Sequence, residues 1–273
     1  MSDTLLGLDN LDTSFYIIFY AIVLLTGLCI GSFLNVVICR LPQDESLVKG
    51  ASHCVKCGKK IKSYDLIPLF SWIFLKGRCR NCGERISARY PAVELLNALI
   101  YIITFLVMDF NVNSIILCFF FSALIAIAFI DFDTLEINLS LLVFIGILAI
   151  ISALFTKNLT ILQRISGALL ISVPFFMIGE ISAEIIKKNT GERIRGIELG
   201  DTLLMLVSGF LIGNKAIVVA AFSGIILAAI GGLIQKKISG ESKFAFGPYL
   251  SMGLFVGALW GNRLVDLWLN MFT

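Results

Sequence analysis

Eight apolar runs divide the 273 residues of this chain and limit what it can fold into. A transmembrane α-helix needs about 20 mostly apolar residues, and the first run, 15–39, is long enough to span a bilayer. The chain is 58% hydrophobic and 15% charged, with a mean hydropathy of +0.93, which excludes an ordinary soluble domain. We therefore predict an all-α polytopic membrane protein with about eight transmembrane helices.

The other seven runs follow a polar, basic segment at residues 40–90. Their approximate spans are 91–108, 115–130, 139–155, 161–185, 200–213, 216–234 and 244–260. The chain start lacks the basic residues and cleavage site of a secretory signal, so the first run is expected to stay as a helix. We predict three parts: the first transmembrane helix in 1–39, an extramembrane domain in 40–90 and a transmembrane domain in 91–273.

The basic residues predict how the chain crosses the membrane. With the N-terminus outside, the cytoplasmic segments would be 40–90, 131–138, 186–199 and 235–243. These segments hold 18 of the 22 Lys and Arg residues, and the opposite side holds Lys157, Arg164, Lys215 and Arg263. Cytoplasmic loops of membrane proteins are enriched in Lys and Arg, so we predict the N-terminus outside. Membrane lipid is an expected partner, whereas the net charge of only +3 gives no reason to expect nucleic acid.

Four of the seven cysteines form two pairs of the same spacing, Cys54 with Cys57 and Cys79 with Cys82. Two such pairs can close on one metal in a tetrahedral four-thiolate zinc site. A glycine follows each pair and suits the tight turn that this requires. Disulfides or free thiols are the alternatives, but cytoplasmic thiols stay reduced. A closed four-thiolate site leaves no open position, so we predict a structural zinc in domain 40–90.

The remaining cysteines and the single histidine are expected to have no chemistry of their own. Cys29, Cys39 and Cys118 lie in or beside apolar runs and are expected to be small packing residues. A single histidine excludes a multi-histidine metal site. His53 is expected to be a solvated loop residue rather than a fifth ligand.

Two acidic residues at the ends of apolar runs are the strongest candidates for catalysis. Asp131 directly follows one run, and Asp201 follows Gly200 at the start of another. Acids at the ends of membrane-length helices are costly and usually functional, and the glycine would let another part of the backbone come close. Two facing carboxylates share a proton and supply one base and one acid for activating water. We predict that Asp131 and Asp201 work as a pair, although a proton or cation pathway would use buried acids equally well.

Three further acids lie next to this pair in the sequence. Asp133, Glu136 and Glu198 can be solvated residues at helix boundaries, or they can form an acidic rim on the cytoplasmic face.

These features occur in an order that resembles the bacterial type 4 prepilin peptidases, which are membrane aspartic proteases that also N-methylate their product. The resemblance begins at Gly31 with GSFLNVVICRLP and continues through both cysteine pairs and the run Asp65–Leu96. It resumes at FIDFDTLEIN and GIELGD and ends with FAFGPYLSMGLFVGALWG. It therefore covers most of the chain in collinear order.

The resemblance implies specific roles and partners. Asp131 and Asp201 correspond to the two catalytic aspartates of a transmembrane peptidase domain, and the four paired cysteines correspond to the family's knuckle cysteines. The implied substrate is a pilin-like precursor with a short basic leader, which is cut just before its hydrophobic helix at the cytoplasmic face of the bacterial inner membrane. The new N-terminus, commonly Phe, would be methylated from S-adenosylmethionine. By resemblance this cofactor involves the region 40–90. No glycine-rich nucleotide loop is present from which its binding residues could be derived.

Three positions depart from the family pattern. Glu198 replaces the first glycine of Gly-x-Gly-Asp, Leu203 replaces a lysine, and Asn138 replaces a proline. All three belong to the predicted catalytic face, so efficiency or specificity is expected to differ from the norm.

Three functions are alternatives to a prepilin peptidase: an ion-coupled transporter, a zinc-bearing membrane scaffold without catalysis, and an intramembrane protease resembling signal peptide peptidase.

Overall fold

The structure is a computed structural model that describes residues 13–239 and 244–271. In these residues the chain forms nine α-helices, two short 3₁₀ turns and two isolated β-bridges. The helices are α1 (Thr13–Arg40), α2 (Phe70–Phe74), α3 (Arg89–Met108), α4 (Val112–Thr134), α5 (Leu139–Phe155), α6 (Ile161–Thr190), α7 (Leu199–Ile212), α8 (Asn214–Ser239) and α9 (Gly247–Asn270).

The predicted fold class is confirmed. Eight of the described helices have at least 14 residues, and each coincides with one of the eight apolar runs. Five of them, α1, α3, α4, α6 and α8, are long and apolar enough to cross a membrane, while α5 and α7 are shorter apolar helices. The chain is thus an integral membrane protein with several apolar helices.

Two compact units make up the chain, Met1–Ala126 and Ile127–Thr273. The predicted division at residues 39 and 90 stays a prediction. In the first unit, Gly27 and Gly31 lie on the face of α1 that meets α3. A Cβ atom at Gly27 would lie 2.6 Å from the Cα atom of Ala98, and one at Gly31 would lie 2.7 Å from the Cα atom of Glu94. Small residues four positions apart allow such close approach of helices in lipid.

Buried hydrogen bonds also join the helices of the first unit. The side-chain amide of Asn97 donates to the carbonyl oxygen of Gly27 at 2.7 Å, and its carbonyl oxygen accepts from the Ser122 hydroxyl at 2.7 Å. Tyr101 shares a hydrogen bond with Ser122 at 2.9 Å. A polar group without a hydrogen-bond partner is costly in lipid. The hydrogen bonds of this network satisfy these buried side chains and link α1, α3 and α4.

The second unit is held by close helix contacts of the same kind. Gly167 and Gly209 let α6 and α7 touch through their backbones, because a Cβ atom on either residue would overlap the other helix. Gly253 and Gly257 do the same between α9 and α8. The contact between α6 and α7 fixes the position of α7, which carries Asp201 near its start.

A buried arginine joins the C-terminal ends of two helices in the second unit. Arg164 is 2% exposed, and its guanidinium donates to the carbonyl oxygen of Phe210 in α7 at 3.3 Å and to that of Ser152 in α5 at 3.3 Å. It also donates to the hydroxyls of Ser152 and Thr156 at 3.2 Å. A cation is favourable at helix C-termini because the last carbonyl groups carry partial negative charge.

Candidate functional site

Asp131 lies in the last turn of α4 and is buried, with 5% of its surface exposed. Its Oδ2 atom accepts a hydrogen bond from the backbone N–H of Gly247 at 2.8 Å. Gly247 is the first residue of α9, where backbone N–H groups have no partner within the helix. A Cβ atom at this position would lie 2.8 Å from Oδ2, so any other residue would force the Asp131 carboxylate to move. The N-terminus of α9 therefore stabilises negative charge on Asp131.

Asp201 lies in the first turn of α7 and is 6% exposed. Gly200 precedes it, and a Cβ atom there would lie 2.9 Å from the Cβ atom of Ile137, in the connection that follows α4. The prediction that Gly200 lets another part of the chain come close is confirmed. The end of α4 and the start of α7 therefore meet without a side chain between them.

The two aspartates lie close enough to act on each other electrostatically. The negative charges of Asp131 and Glu198 act on the Asp201 carboxyl group. The charge of Glu198 also acts on the Asp131 carboxyl group. The predicted pair thus comes together in the second unit, from helices whose carboxylates are 70 positions apart in sequence. A third acid lies beside them.

The connection before α7 is held against α6 by ion pairs and a hydrogen bond, and these contacts position Asp201. Glu180 on α6 forms ion pairs with Arg195 and, at 2.7 Å, with Arg193. The backbone N–H of Gly196 donates to the Ser182 hydroxyl at 2.9 Å. The start of α7 therefore has little freedom to move away from the site.

Three acidic residues next to the pair in sequence are accessible. Asp133, Glu136 and Glu198 are exposed, which fits both solvated residues at helix boundaries and an acidic rim. Asn138, which departs from the family pattern, caps α5: its Oδ1 atom accepts from the backbone N–H of Ser140 at 2.9 Å. A proline in that place has no side-chain acceptor, so the departure supplies a helix cap.

The two cysteine pairs form two copies of one backbone turn in the first unit. In the first copy, the N–H of Cys54 donates to Lys59 O at 3.0 Å and the N–H of Gly58 donates to Cys54 O at 2.8 Å. Twenty-five positions later the same bonds occur at Cys79 and Gly83, at 2.8 and 2.9 Å. Both glycines have positive φ, +67° and +72°, which confirms the predicted need for glycine.

The four sulfur atoms converge. The Sγ atoms of Cys54, Cys57, Cys79 and Cys82 all lie within 4.8 Å of one another, and His53 is not part of this group. Backbone N–H groups of Cys57 and Lys56 lower the pKa of the Cys54 thiol to about 6. Four thiols in two tight turns fit a tetrahedral metal site, so this cluster could hold a metal ion.

The other cysteines have mixed environments. Cys118 is 3% exposed and packs with Val23 and Phe105, which confirms its predicted packing role. Cys29 and Cys39 are exposed, so their packing role stays a prediction, and the Cys39 Sγ atom lies 3.9 Å from the Tyr90 hydroxyl.

Two family models match the chain on either side of residue 110. The bacterial peptidase A24 N-terminal domain matches residues 25–108, which include all four converging cysteines. The type IV leader peptidase family matches residues 118–233, which include both aspartates.

Curated relatives match over most of the chain. A prepilin leader peptidase/N-methyltransferase from Aeromonas salmonicida is 30% identical over 93% of this chain and 94% of its own length. That of Bacillus subtilis is 28% identical over 92% of this chain and 98% of its own length. That of Myxococcus xanthus is 31% identical over 82% of this chain and 65% of its own length. This chain belongs to the type IV leader peptidase family. No solved structure matches it.

Family membership confirms the predicted enzyme class, a protease with N-methyltransferase activity. It does not favour a transporter, a scaffold without catalysis or the third alternative, a protease resembling signal peptide peptidase. The contact between Gly247 and Asp131 could not be predicted from local patterns, because the two residues are 116 positions apart. A Gly-Pro pair at the start of an apolar run was the one sequence feature that could have marked this helix start.

Proposed function

We propose that Asp131 and Asp201 are the catalytic pair that removes the leader peptide from pilin-like precursors. The observation that carries this proposal is the convergence of two buried carboxylates from separate helices at one site. Burial of two acids beside each other has no benefit for packing. It is the arrangement that acid–base activation of water requires.

The geometry favours Asp131 as the base. The N–H of Gly247 can only donate, so it stabilises the ionised form of Asp131. In this mechanism Asp131 takes a proton from water, and the water oxygen attacks the scissile carbonyl carbon. Protonated Asp201 donates its proton to the carbonyl oxygen. The proton that Asp131 took from water then passes to the leaving nitrogen, the C–N bond breaks, and a hydroxyl proton of the intermediate returns to Asp201 as the new carboxyl group forms.

The acidic rim supports recognition of a basic leader. Asp133, Glu136 and Glu198 lie within five residues of one of the two aspartates in sequence and are exposed, so they can attract Lys and Arg side chains without being desolvated. The hydrophobic helix of the precursor would stay in lipid, while its scissile bond lies at the helix ends where the aspartates are found. Glu198, which replaces a glycine of the family pattern, adds one negative charge to this rim.

The cysteine cluster is proposed to hold a structural zinc ion. Cys54, Cys57, Cys79 and Cys82 use all four tetrahedral positions, so the metal would stabilise the segment between α1 and α3 and would not bind substrate. S-adenosylmethionine is proposed as the methyl donor, since the relatives are named N-methyltransferases. We assign methylation to the region 40–90.

We further infer that the protein lies in the bacterial inner membrane with its N-terminus outside. The domain 40–90, the aspartate pair and the rim would then be cytoplasmic. The excess of Lys and Arg in those connections supports this orientation.

A precursor-processing assay tests the proposal. Purified protein is incubated with a type IV pilin precursor, and mass spectrometry locates the cut and any added methyl group. We expect cleavage directly before the hydrophobic helix, methylation only when S-adenosylmethionine is added, and slower cleavage when the leader's basic residues are replaced by Gln. No cleavage would overturn the peptidase assignment, cleavage without methylation would overturn the second activity, and an unchanged rate with the neutral leader would overturn the role of the rim.

A further inference from the structure

A patch of exposed apolar side chains lies between α1 and α3 in the first unit. Six large apolar residues within eleven positions are exposed: Tyr64, Leu66, Ile67, Phe70, Ile73 and Phe74. Phe74 is the most exposed of them, at 81%. Exposed apolar residues that occur singly need no explanation, but a contiguous patch marks a contact with a protein or a membrane.

A buried carboxylate fixes the depth of this patch along the helices. Glu94 accepts a hydrogen bond from the backbone N–H of Leu69 at 2.6 Å and lies beside the Ser32 side chain. Glu94 comes five residues after the start of α3, and Ser32 comes eight before the end of α1. At 1.5 Å per residue these offsets are about 7.5 Å and about 12 Å. The patch therefore lies beside the first turns of α3 and the last turns of α1, both long and apolar enough to cross the membrane, and not beyond their ends.

The backbone of the patch is held in a defined shape. Leu69 has φ 62° and ψ −51°, and the N–H of Phe70 donates to Pro68 O at 2.6 Å, which forms a γ-turn of the rare, strained type. The indole N–H of Trp72 donates to Ile86 O at 3.1 Å. Strain of this kind persists only where the surroundings enforce it, and here Glu94 and Ile86 do so. The exposed side chains are thus presented outward from a fixed loop.

Basic residues flank the patch. The segment 40–90 contains eleven Lys and Arg residues against four Asp and Glu residues. Lys62 and Lys76 lie at the two ends of the patch and are exposed. Basic side chains next to exposed aromatic and aliphatic residues suit the boundary between anionic headgroups and acyl chains.

We propose that residues 64–76 are an interfacial anchor, which lies in the headgroup region of an anionic leaflet. Its apolar side chains reach the acyl chains, and Lys62 and Lys76 contact lipid phosphates. Residues 64–76 belong to the connection between α1 and α3, two helices that are long and apolar enough to enter this bilayer, and Leu69 touches α3 directly. The anchor holds the cysteine cluster against the membrane, and it does not depend on the proposed catalytic roles.

Photo-crosslinking in lipid nanodiscs tests the anchor. The full chain, in a mixture of phosphatidylcholine and phosphatidylglycerol, carries p-benzoylphenylalanine in place of Phe74. The matched control carries it in place of Val55, which is 90% exposed but stands between Cys54 and Lys56. Both sites are exposed, so neither substitution removes a buried contact. We expect several-fold more lipid adducts from position 74 than from position 55, and equal low yields would overturn the proposal.

Two further outcomes decide the lipid chemistry and the partner. The adducts at position 74 should be enriched in phosphatidylglycerol over the bulk ratio, and Lys62→Gln with Lys76→Gln should remove that enrichment. Enrichment that survives both substitutions would overturn the role of the lysines. A precursor protein that competes the lipid adducts away and is itself crosslinked would overturn the anchor in favour of a protein-docking face.

Discussion

The cysteine cluster and the aspartate pair are assembled in opposite ways. Each half of the cysteine cluster is a local turn whose ligands are three positions apart, and the same turn occurs twice. The aspartate pair is assembled from helix ends: Asp131 from α4, Asp201 from α7 and the Gly247 N–H from α9. A local site depends on its ligands and its metal, whereas a distributed site depends on how whole helices pack. Substitutions far from the reacting atoms should therefore harm only the second.

The largest loss of stability is expected when a cysteine of the local site, the cysteine cluster, is replaced. Cys79→Ser removes one of four thiolates, and structural zinc in small domains contributes on the order of 10 kcal/mol to folding. We expect bound zinc, measured by atomic absorption, to fall below detection and residues 40–90 to become sensitive to trypsin. Cys29→Ser is the matched control, since Cys29 is exposed on α1. Full zinc content in the Cys79 variant would contradict a four-thiolate site.

Gly247→Ala is expected to damage the distributed site alone. The added Cβ atom would lie 2.8 Å from Asp131 Oδ2, and misplacement of a catalytic group by about 1 Å can cost roughly 10²-fold in rate. Precursor cleavage should fall by about that factor while zinc content stays unchanged. Gly232→Ala is the control, because its Cβ atom would meet only ordinary contacts at 3.8 Å. Equal rates for the two variants would show that the Gly247 contact has no catalytic importance.

Arg164→Met tests whether helix packing supports the distributed site. The substitution removes the hydrogen bonds that join the ends of α5 and α7, and bonds to a charged group contribute about 1.5–3 kcal/mol. Thermal unfolding in detergent should show a loss of about 2 kcal/mol. Arg263→Met, at an exposed position, should change stability by less than about 0.5 kcal/mol. Equal stability of the two variants would contradict the bridging role.

The smallest change is expected from loss of the ion pair between Asp65 and Arg80, whose contribution to stability depends on pH. Arg80 donates three hydrogen bonds to the Asp65 carboxylate and lowers the pKa of that carboxyl group below its ordinary value of 3.8. Because this pKa is lowered on folding, the ion pair stabilises the loop at neutral pH. That stabilisation is lost as the pH falls through the pKa that Asp65 has in the folded protein. Asp65→Asn should therefore speed hydrogen exchange at residues 63–66 only slightly at neutral pH, because solvent screens an ion pair at the surface. The difference from wild type should vanish in strong acid, and a difference that grows there would contradict the sign.

Features that depend on nearby residues were predictable from the sequence. The eight apolar runs gave the eight long helices, because burial in lipid demands continuous apolar helices. The spacing of Cys54, Cys57, Cys79 and Cys82 predicted their convergence, because each pair closes its own turn. Asp131 and Asp201 stood out because acids are costly at the ends of such runs.

Features that depend on helix packing were not predictable. Arg164 counted as a charge outside the membrane, yet it is buried against the ends of α5 and α7. Glu94 looked like one more residue of an apolar run, but it holds the strained turn at Leu69. Each of these contacts joins residues that only the packed helices bring together, and no local pattern encodes them.

The pairing of Asp131 with Asp201 is the central claim, and cleavage by single Asn variants tests it most directly. Initial rates are measured with one pilin precursor, at equal amounts of membrane-inserted protein, for Asp131→Asn, Asp201→Asn and the neighbouring Asp133→Asn. Loss of an acid or base costs roughly 10²–10⁴-fold, so the first two variants should show no processing above background while Asp133→Asn stays active. Processing at the wild-type rate by either of the first two variants would contradict the pair.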